Sequence, residues 1–382
     1  MKIIRIPLII VGISLWTFGL NGQQLIDINT TYAGNNRDYK LYIPPTYDGN
    51  TAVPLLFNFH GGGGTSQDQI NLSDMRPFAD TANFLIVYPQ AFPDPNDGNS
   101  NNWIHKDPTD FDDVPFVESI LNEMISAYNI NENRVYVCGY SLGGEFTYEL
   151  LCRLNNKIAA GVAVARTMAT YTLDQCNPTH PTAVMTILGT DDPISVYTGV
   201  VYNGVTYYLS SDDMNAYWTN YNNTDPNPII SQVPNTNSSD GSSVEKYLWE
   251  NGDGCVSFVH YKINAGGHDW PGTFGNMDID ADTEIWNFVS QYNRGGLIDC
   301  PENSLEENDM TNISLYPNPV IKDLYFNLSG EYNTQIEVYS QQGALMMQTT
   351  APSNQGSINV SALCPGIYTF KIGNSYKRFI KQ

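Results

Sequence analysis

Between about residues 24 and 296, short unbroken apolar runs alternate with stretches in which apolar side chains recur every three or four positions. Unbroken runs suit strands covered on both faces, and the three-to-four spacing suits helices with one buried face. VPLLFNF at 53–59, FLIVYP at 84–89, RVYVCG at 134–139 and AVMTILG at 183–189 read as buried strands closed by Gly or Pro. The stretch 113–128 sets Val114, Val117, Ile120, Leu121, Met124 and Ile125 on one helical face, and the charges of Asp112 and Asp113 favour a helix start there. A second helix, over 145–154, turns Phe146, Leu150 and Leu151 toward the sheet. The alternation predicts an α/β fold, a mostly parallel central sheet packed with helices.

After Leu297 the pattern changes. Residues 299–312 are polar and acidic, as a linker is, and from Ile313 the apolar positions alternate, as in LYFNL (324–328), QIEVYS (335–340) and YTFKI (368–372). That tail predicts a small all-β sandwich. The Asn-, Ser- and Asp-rich stretch from Tyr221 to Ser243 reads as a flexible surface insertion. At the other end, Lys2 and Arg5 precede an apolar run from Ile6 to Leu20, which is shorter than the roughly 20 residues of a membrane span. The expected division is a signal peptide over 1–22, a main domain over 23–298, a linker over 299–312 and a β domain over 313–382.

Composition narrows the reading. With 41% hydrophobic and 15% charged residues the chain has the profile of a packed globular protein. Its net charge of -22 argues against nucleic acid and anionic lipid as partners and favours a neutral substrate. No later segment is apolar enough to span a membrane once the leader is removed. Export permits disulfides among Cys138, Cys152, Cys176, Cys255, Cys300 and Cys364, and no Cys-x-x-Cys pair suggests a metal site.

Candidate chemistry begins where the strand RVYVCG runs into Tyr140-Ser141-Leu142-Gly143-Gly144. Ser141 thus lies in G-x-S-x-G between a strand and a helix, the setting that lifts a serine hydroxyl above the edge of a sheet. A serine needs a base, and the base needs an orienting carboxylate. Of the five histidines, His60 lies in the first Gly-rich loop, His105 in an early loop, His180 ahead of the late carboxylates and His260 inside an apolar strand, where a packed, hydrogen-bonded role fits it. His268 follows Gly266-Gly267 in the loop after that strand, and is the candidate base. The acid falls in Gly189-Thr190-Asp191-Asp192-Pro193, with Asp191 and Asp192 equally placed by spacing. Oxyanion donors are expected from the N–H of Leu142 and, in His60-Gly61-Gly62-Gly63-Gly64, from Gly62. Trp103, Tyr140 and Trp270 are candidates to line the substrate site or to fill the core. The carboxylates Asp278, Asp280, Asp282 and Glu284 suggest helix capping over calcium binding, since the EF-hand glycine is missing. No metal or other cofactor is expected.

FHGGGG, NNW with DDVPFVESILNEM, RVYVCGYSLGG, ILGTDDPI and INAGGHDWPG together resemble the secreted polyhydroxybutyrate depolymerase and feruloyl esterase family of α/β-hydrolases, over about residues 30–295. The resemblance implies the α/β-hydrolase fold and a serine esterase that forms an acyl-enzyme on feruloyl or acetyl esters of polysaccharides, or on a polyester such as polyhydroxybutyrate. In the family's His-Gly-Thr-x-Asp the carboxylate aligns with Asp192, and Leu188 replaces the histidine. It also implies a Cys152–Cys176 bridge. The family cysteine near position 222 is absent, so a Cys255–Cys300 bond is a conjecture. A serine peptidase would bring extra insertions, and a non-catalytic surface binder would not depend on Ser141.

The tail, from LYPNPV through GIYTFKI to KRFIKQ, resembles the C-terminal sorting domain of the type IX secretion system. That implies passage through the periplasm, a partner in the secretion machinery and a secreted or cell-surface location, with the tail either removed or used as an anchor. A carbohydrate-binding module is the competing reading, and the tail shows no aromatic platform.

Overall fold

The computed structural model describes residues 24–95, 97–103, 112–300, 313–328, 335–340, 344–350, 353, 355–372 and 375–382. The expected signal peptide, most of the linker and His105 lie outside them. The chain divides into two compact units, the first ending at Cys300 and the second beginning at Pro301.

The first unit is built on ten strands: β1 (Gln24–Tyr32), β2 (Asn35–Ile43), β3 (Val53–Phe59), β4 (Leu85–Pro89), β5 (Ile130–Tyr140), β6 (Ala160–Val164), β7 (Ala183–Gly189), β8 (Ile229–Gln232), β9 (Ser243–Trp249) and β10 (Phe258–Asn264). They form one sheet in the order β1-β2-β4-β3-β5-β6-β7-β10-β9-β8. The six strands from β4 to β10 are parallel, and antiparallel pairs finish both edges. Every residue of β3, β4, β6 and β7 is buried, as strands covered on both faces require.

Alternation splits the core in two. Leu55, Phe57 and Phe59 of β3 face one layer, with Val117, Ile120 and Leu121 of α3 (Asp113–Ala127) and Phe146 and Leu150 of α4 (Leu142–Arg153). Leu56 and Ile86 face the other, with Ala79 of α2 (Arg76–Ala82) and Ile285 and Phe288 of α7 (Ala281–Val289). Three further helices, α1 (Ser66–Leu72), α5 (Thr170–Asp174) and α6 (Ser211–Tyr221), complete the unit. Because β4 lies on one side of β3 and β5 on the other, the order reverses at β3/β5, and the loops leaving these two strands meet at the carboxyl edge. Ligands of open α/β sheets bind at such a reversal.

One expectation needs adjustment. The stretch from Tyr221 to Ser243 is more than a loop: it contains β8, which pairs antiparallel with β9 at the sheet edge. All four β8 residues are exposed, so no alternation betrays the strand. The four late carboxylates each hold protein groups. Asp280 caps α7 by accepting from Thr283 N (2.7 Å), Asp278 accepts from Thr236 N (2.7 Å), Asp282 from Ser73 Oγ (2.6 Å), and Glu284 from the Tyr261 hydroxyl. Among the described residues no three His, Cys, Asp or Glu side chains are grouped to hold a metal, and no helix is long and apolar enough to cross a membrane.

Disulfides join Cys152 to Cys176, from the end of α4 to the segment before β7, and Cys255 to Cys300. In the place where the resemblance implies a cysteine, the buried Asn222 amide accepts from Thr182 N (2.9 Å) and donates to Thr182 O (2.8 Å).

Among the described residues the second unit has seven strands in two sheets. Strands β11 (Ile313–Tyr316), β12 (Asp323–Leu328) and β15 (Gln355–Asn359) form one, in the order β11-β12-β15. Strands β13 (Gln335–Ser340), β14 (Leu345–Thr350), β16 (Gly366–Ile372) and β17 (Ser375–Lys381) form the other, in the order β14-β13-β16-β17. Phe326 and Ile358 of the first sheet share a core with Val338, Phe370 and Phe379 of the second, a small β-sandwich.

Candidate active site

Ser141 sits between β5 and α4 with φ 53° and ψ -119°, a conformation that L residues seldom hold without a functional reason. Its N–H donates to Val164 O (2.9 Å). The turn needs glycine on both sides: a Cβ at Gly139 would lie 2.3 Å from Gly143 O, and one at Gly143 would lie 2.4 Å from Phe59 O. The first turn of α4 is held by Glu145, whose Oε2 accepts from Arg166 Nε (2.8 Å), while the Arg166 guanidinium lies 4.2 Å from the Tyr208 ring centre.

The loop after β10 brings His268 over this serine. Nε2 of His268 is 2.8 Å from Ser141 Oγ, and Nδ1 is 2.7 Å from Asp192 Oδ2. Ala265 N donates to Thr190 Oγ1 (2.9 Å) and Asp191 N to Gly266 O (2.9 Å), so the acid and base loops are tied together. Asp192 Oδ1 accepts from Ile194 N (2.7 Å) and Ser195 N (2.8 Å). Burial alone raises the carboxyl pKa of Asp192, but the hydrogen bonds from His268, Ser195 and Ile194 outweigh it and hold the pKa below the usual carboxylate range. Asp191, equally placed by spacing, is exposed, and its Oδ1 accepts from the neighbouring Thr190 hydroxyl (3.0 Å). The side chain of Asp192 is 1% exposed and that of His268 19%, a sealed carboxylate behind an accessible imidazole.

The Gly-rich loop after β3 runs alongside: a Cβ at Gly61 would lie 3.5 Å from Ser141 Cβ, and one at Gly62 would lie 3.6 Å from Leu142 Cβ. Gly61 O lies 2.7 Å from His60 Nδ1 and accepts from Gly64 N (3.1 Å). Since His60 Nε2 accepts from Ala91 N (3.1 Å), the ring proton belongs on Nδ1 and is donated to Gly61 O. Across a trans peptide this turns the Gly62 N–H the other way. Neither that N–H nor the Leu142 N–H, in the first turn of α4, has an acceptor among the described residues. Burial lowers the His60 pKa to about 4, keeping the ring neutral.

The aromatic candidates separate. Trp103 and Trp270 are 3% and 1% exposed and belong to the core, so neither lines a solvent-filled site. Trp103 instead donates Nε1–H to His60 O (2.7 Å) and stacks on Phe146, supporting the Gly-rich loop from below. Tyr140 is half-buried; its hydroxyl donates to His268 O (2.6 Å), which fixes the base loop. Two further apolar residues, given no role by the sequence pattern, lie near Ser141, His268 and Asp192. Phe274, 42% exposed, meets Tyr140 edge-on, and Ile194, 60% exposed, follows the acid by two positions. An aromatic six residues after the loop histidine is the signal for Phe274.

Over 287 residues the chain is 28% identical to a bifunctional acetylxylan esterase/xylanase of Neocallimastix patriciarum, covering 74% of this chain and 37% of that protein. It is 27% identical to feruloyl esterase B of Piromyces equi, covering 65% and 44%, and 26% identical to a probable feruloyl esterase C of Aspergillus niger, covering 68% and 86%. The first unit has the α/β-hydrolase fold and is similar in sequence to these esterases. The chain spans less than half the length of the first two relatives. Among solved structures, an acetyl xylan esterase from Aspergillus awamori superposes with TM-score 0.49 at 14% identity, covering 71% of this chain and 99% of that one. Residues 314–382 match the secretion system C-terminal sorting domain, so the chain carries a sorting tail.

Proposed function

We propose that the chain is an exported serine carboxylic-ester hydrolase that acts through an acyl-enzyme on feruloyl or acetyl esters of polysaccharides. Residues 23–298 form its catalytic domain, and the tail engages the type IX secretion machinery. The observation that carries the reading is the continuous path from Ser141 Oγ through both nitrogens of His268 to Asp192, at 2.8 and 2.7 Å.

Ser141 Oγ attacks the ester carbonyl carbon as His268 Nε2 takes its proton. The carbonyl oxygen becomes an oxyanion and accepts from Gly62 N–H and Leu142 N–H, donors already in place before reaction. Collapse expels the alcohol, which leaves with the proton from His268, and Ser141 holds the acyl group. Water then repeats the sequence, with His268 as base, and releases the carboxylic acid. Asp192 stays ionised throughout and keeps the His268 proton on Nδ1. The esterase names of the relatives and the neutral substrate that a net charge of -22 favours support the substrate class.

The test is hydrolysis of p-nitrophenyl acetate, methyl ferulate, acetylated xylan and polyester film by purified protein, beside Ser141→Ala. Turnover of the ferulate or the xylan, lost on the order of 10⁴-fold or more in the variant, supports the reading. Equal turnover in the variant removes Ser141 as nucleophile, and hydrolysis of the polyester alone replaces the substrate class.

A further inference from the structure

On the opposite flank from the Gly-rich loop, strands β9 and β10, helix α6 and the loop after it enclose an open cleft of about 500 Å³, within the roughly 300–1,000 Å³ of small-molecule sites. None of Ser141, Asp192 and His268 lines it. We propose that this cleft binds a run of neutral sugar residues of a polysaccharide. The proposal goes beyond the esterase reading and does not depend on it.

Strand register explains the lining. Tyr247 pairs with Ile230 on one side and His260 on the other, and Trp249 pairs with Phe258, so the two rings stand on the sheet face that α6 crosses. They lie within 22° of parallel with centres 6.0 Å apart, and both are only half-buried. Core aromatics of this unit such as Phe57 and Trp218 are at most 1% exposed. Half-exposed rings offer flat apolar faces, which suit the C–H faces of pyranose rings.

The rest of the wall suits hydroxyl groups. Asn215 and Asn220 present amides and Asp212 and Asp225 present carboxylates along α6 and the loop after it; each can bond two neighbouring hydroxyls at once. Asn215 is 6% exposed, and its Oδ1 has no hydrogen-bond partner among the described residues, an acceptor that buried polar groups rarely leave unused. The loop is held in place, since Asp225 N donates to Glu250 O (2.8 Å) and Asn251 Nδ2 to Asp225 Oδ2 (2.6 Å). Lys262 is 3.4 Å from Glu245, so the cleft carries no surplus positive charge for an anionic ligand. Such a lining is too polar for an acyl chain and too acidic for a polyanion. The segment that carries Asp192 continues to Tyr197, which reaches the cleft and lies 2.8 Å from His260 Nε2 through its hydroxyl.

Binding is read by titration calorimetry on Ser141→Ala protein with xylohexaose, cellohexaose and mannohexaose, which separates it from turnover. The expected result is binding of at least one of the three, weakened about tenfold by Tyr247→Ala. Ala216 lines the cleft from the exposed face of α6, so Ala216→Trp fills it without removing a core contact and is expected to block binding. With Ser141 restored, both variants should turn over p-nitrophenyl acetate as the parent does. Absence of binding to all three sugars overturns the proposal, as does binding indifferent to both substitutions. Sugar binding by a protein that hydrolyses no ester leaves the cleft assignment standing and removes the esterase reading.

Discussion

Two histidines of the same strand-and-loop segment, His260 inside β10 and His268 in the loop after it, receive opposite surroundings. His268 lies between a hydroxyl and a carboxylate, with a fifth of its side chain open to solvent. His260 lies between hydroxyls only, 2.8 Å from Thr186 Oγ1 and 2.8 Å from the Tyr197 hydroxyl, and is 1% exposed. Burial, with the Lys262 charge adding to it, lowers its pKa to about 3, so its ring stays neutral and structural. Two hydrogen bonds to an imidazole therefore do not make a base; a carboxylate on one side and access on the other do.

The sharpest way to break the contrast is to take the carboxylate from His268. In Asp192→Asn the side-chain oxygen can keep the Ile194 and Ser195 N–H groups, which leaves an amide N–H facing Nδ1 and drives the ring to the wrong tautomer. Ester turnover should fall roughly 10⁴-fold with unchanged thermal unfolding, measured as kcat beside a melting curve. A smaller kinetic loss is expected from His60→Ala, which frees the Gly61–Gly62 peptide to rotate. Its kcat should fall up to about 10²-fold with little change in KM, below the cost of deleting an oxyanion donor outright.

His260→Val should act on the other side of the comparison. It leaves hydroxyls buried without a partner at about 1–3 kcal/mol each, so denaturant unfolding should shift while kcat of the folded protein holds. The parent also loses stability as pH falls from 6.5 toward 3, because the unfolded chain protonates this histidine first; the variant should flatten that slope. The smallest effect concerns Asp282, whose pKa burial raises to about 7. Here the folded state holds the proton longer, so stability falls as pH rises from 3.8 to about 7. Melting curves of Asp282→Asn across that window should lack this decline.

Legibility in the sequence followed locality. Four of the parallel strands, β3, β4, β5 and β7, are readable because each is a continuous apolar run bounded by turn residues, and Ser141 and His268 stand out because their loops need glycine. Asp191 and Asp192 share one turn, and only long-range contact with His268 and the N–H groups of Ile194 and Ser195 separates them. Trp103 and Trp270 lie next to motif loops in sequence but point into the core, and sequence nearness carries no direction. The ring of His60 works on a backbone carbonyl, and no spacing rule marks such a contact. Strand β8 escaped because its four residues, IISQ, are all exposed and lie in a longer stretch whose composition is that of a loop.

The Cys255–Cys300 bond ends the first unit at a buried residue. Unravelling or trimming that starts in the sorting tail meets a covalent cross-link there before it reaches the large sheet. Fraying that starts beyond residue 300 therefore stops at a staple that ties the end of the unit to the segment just before β10.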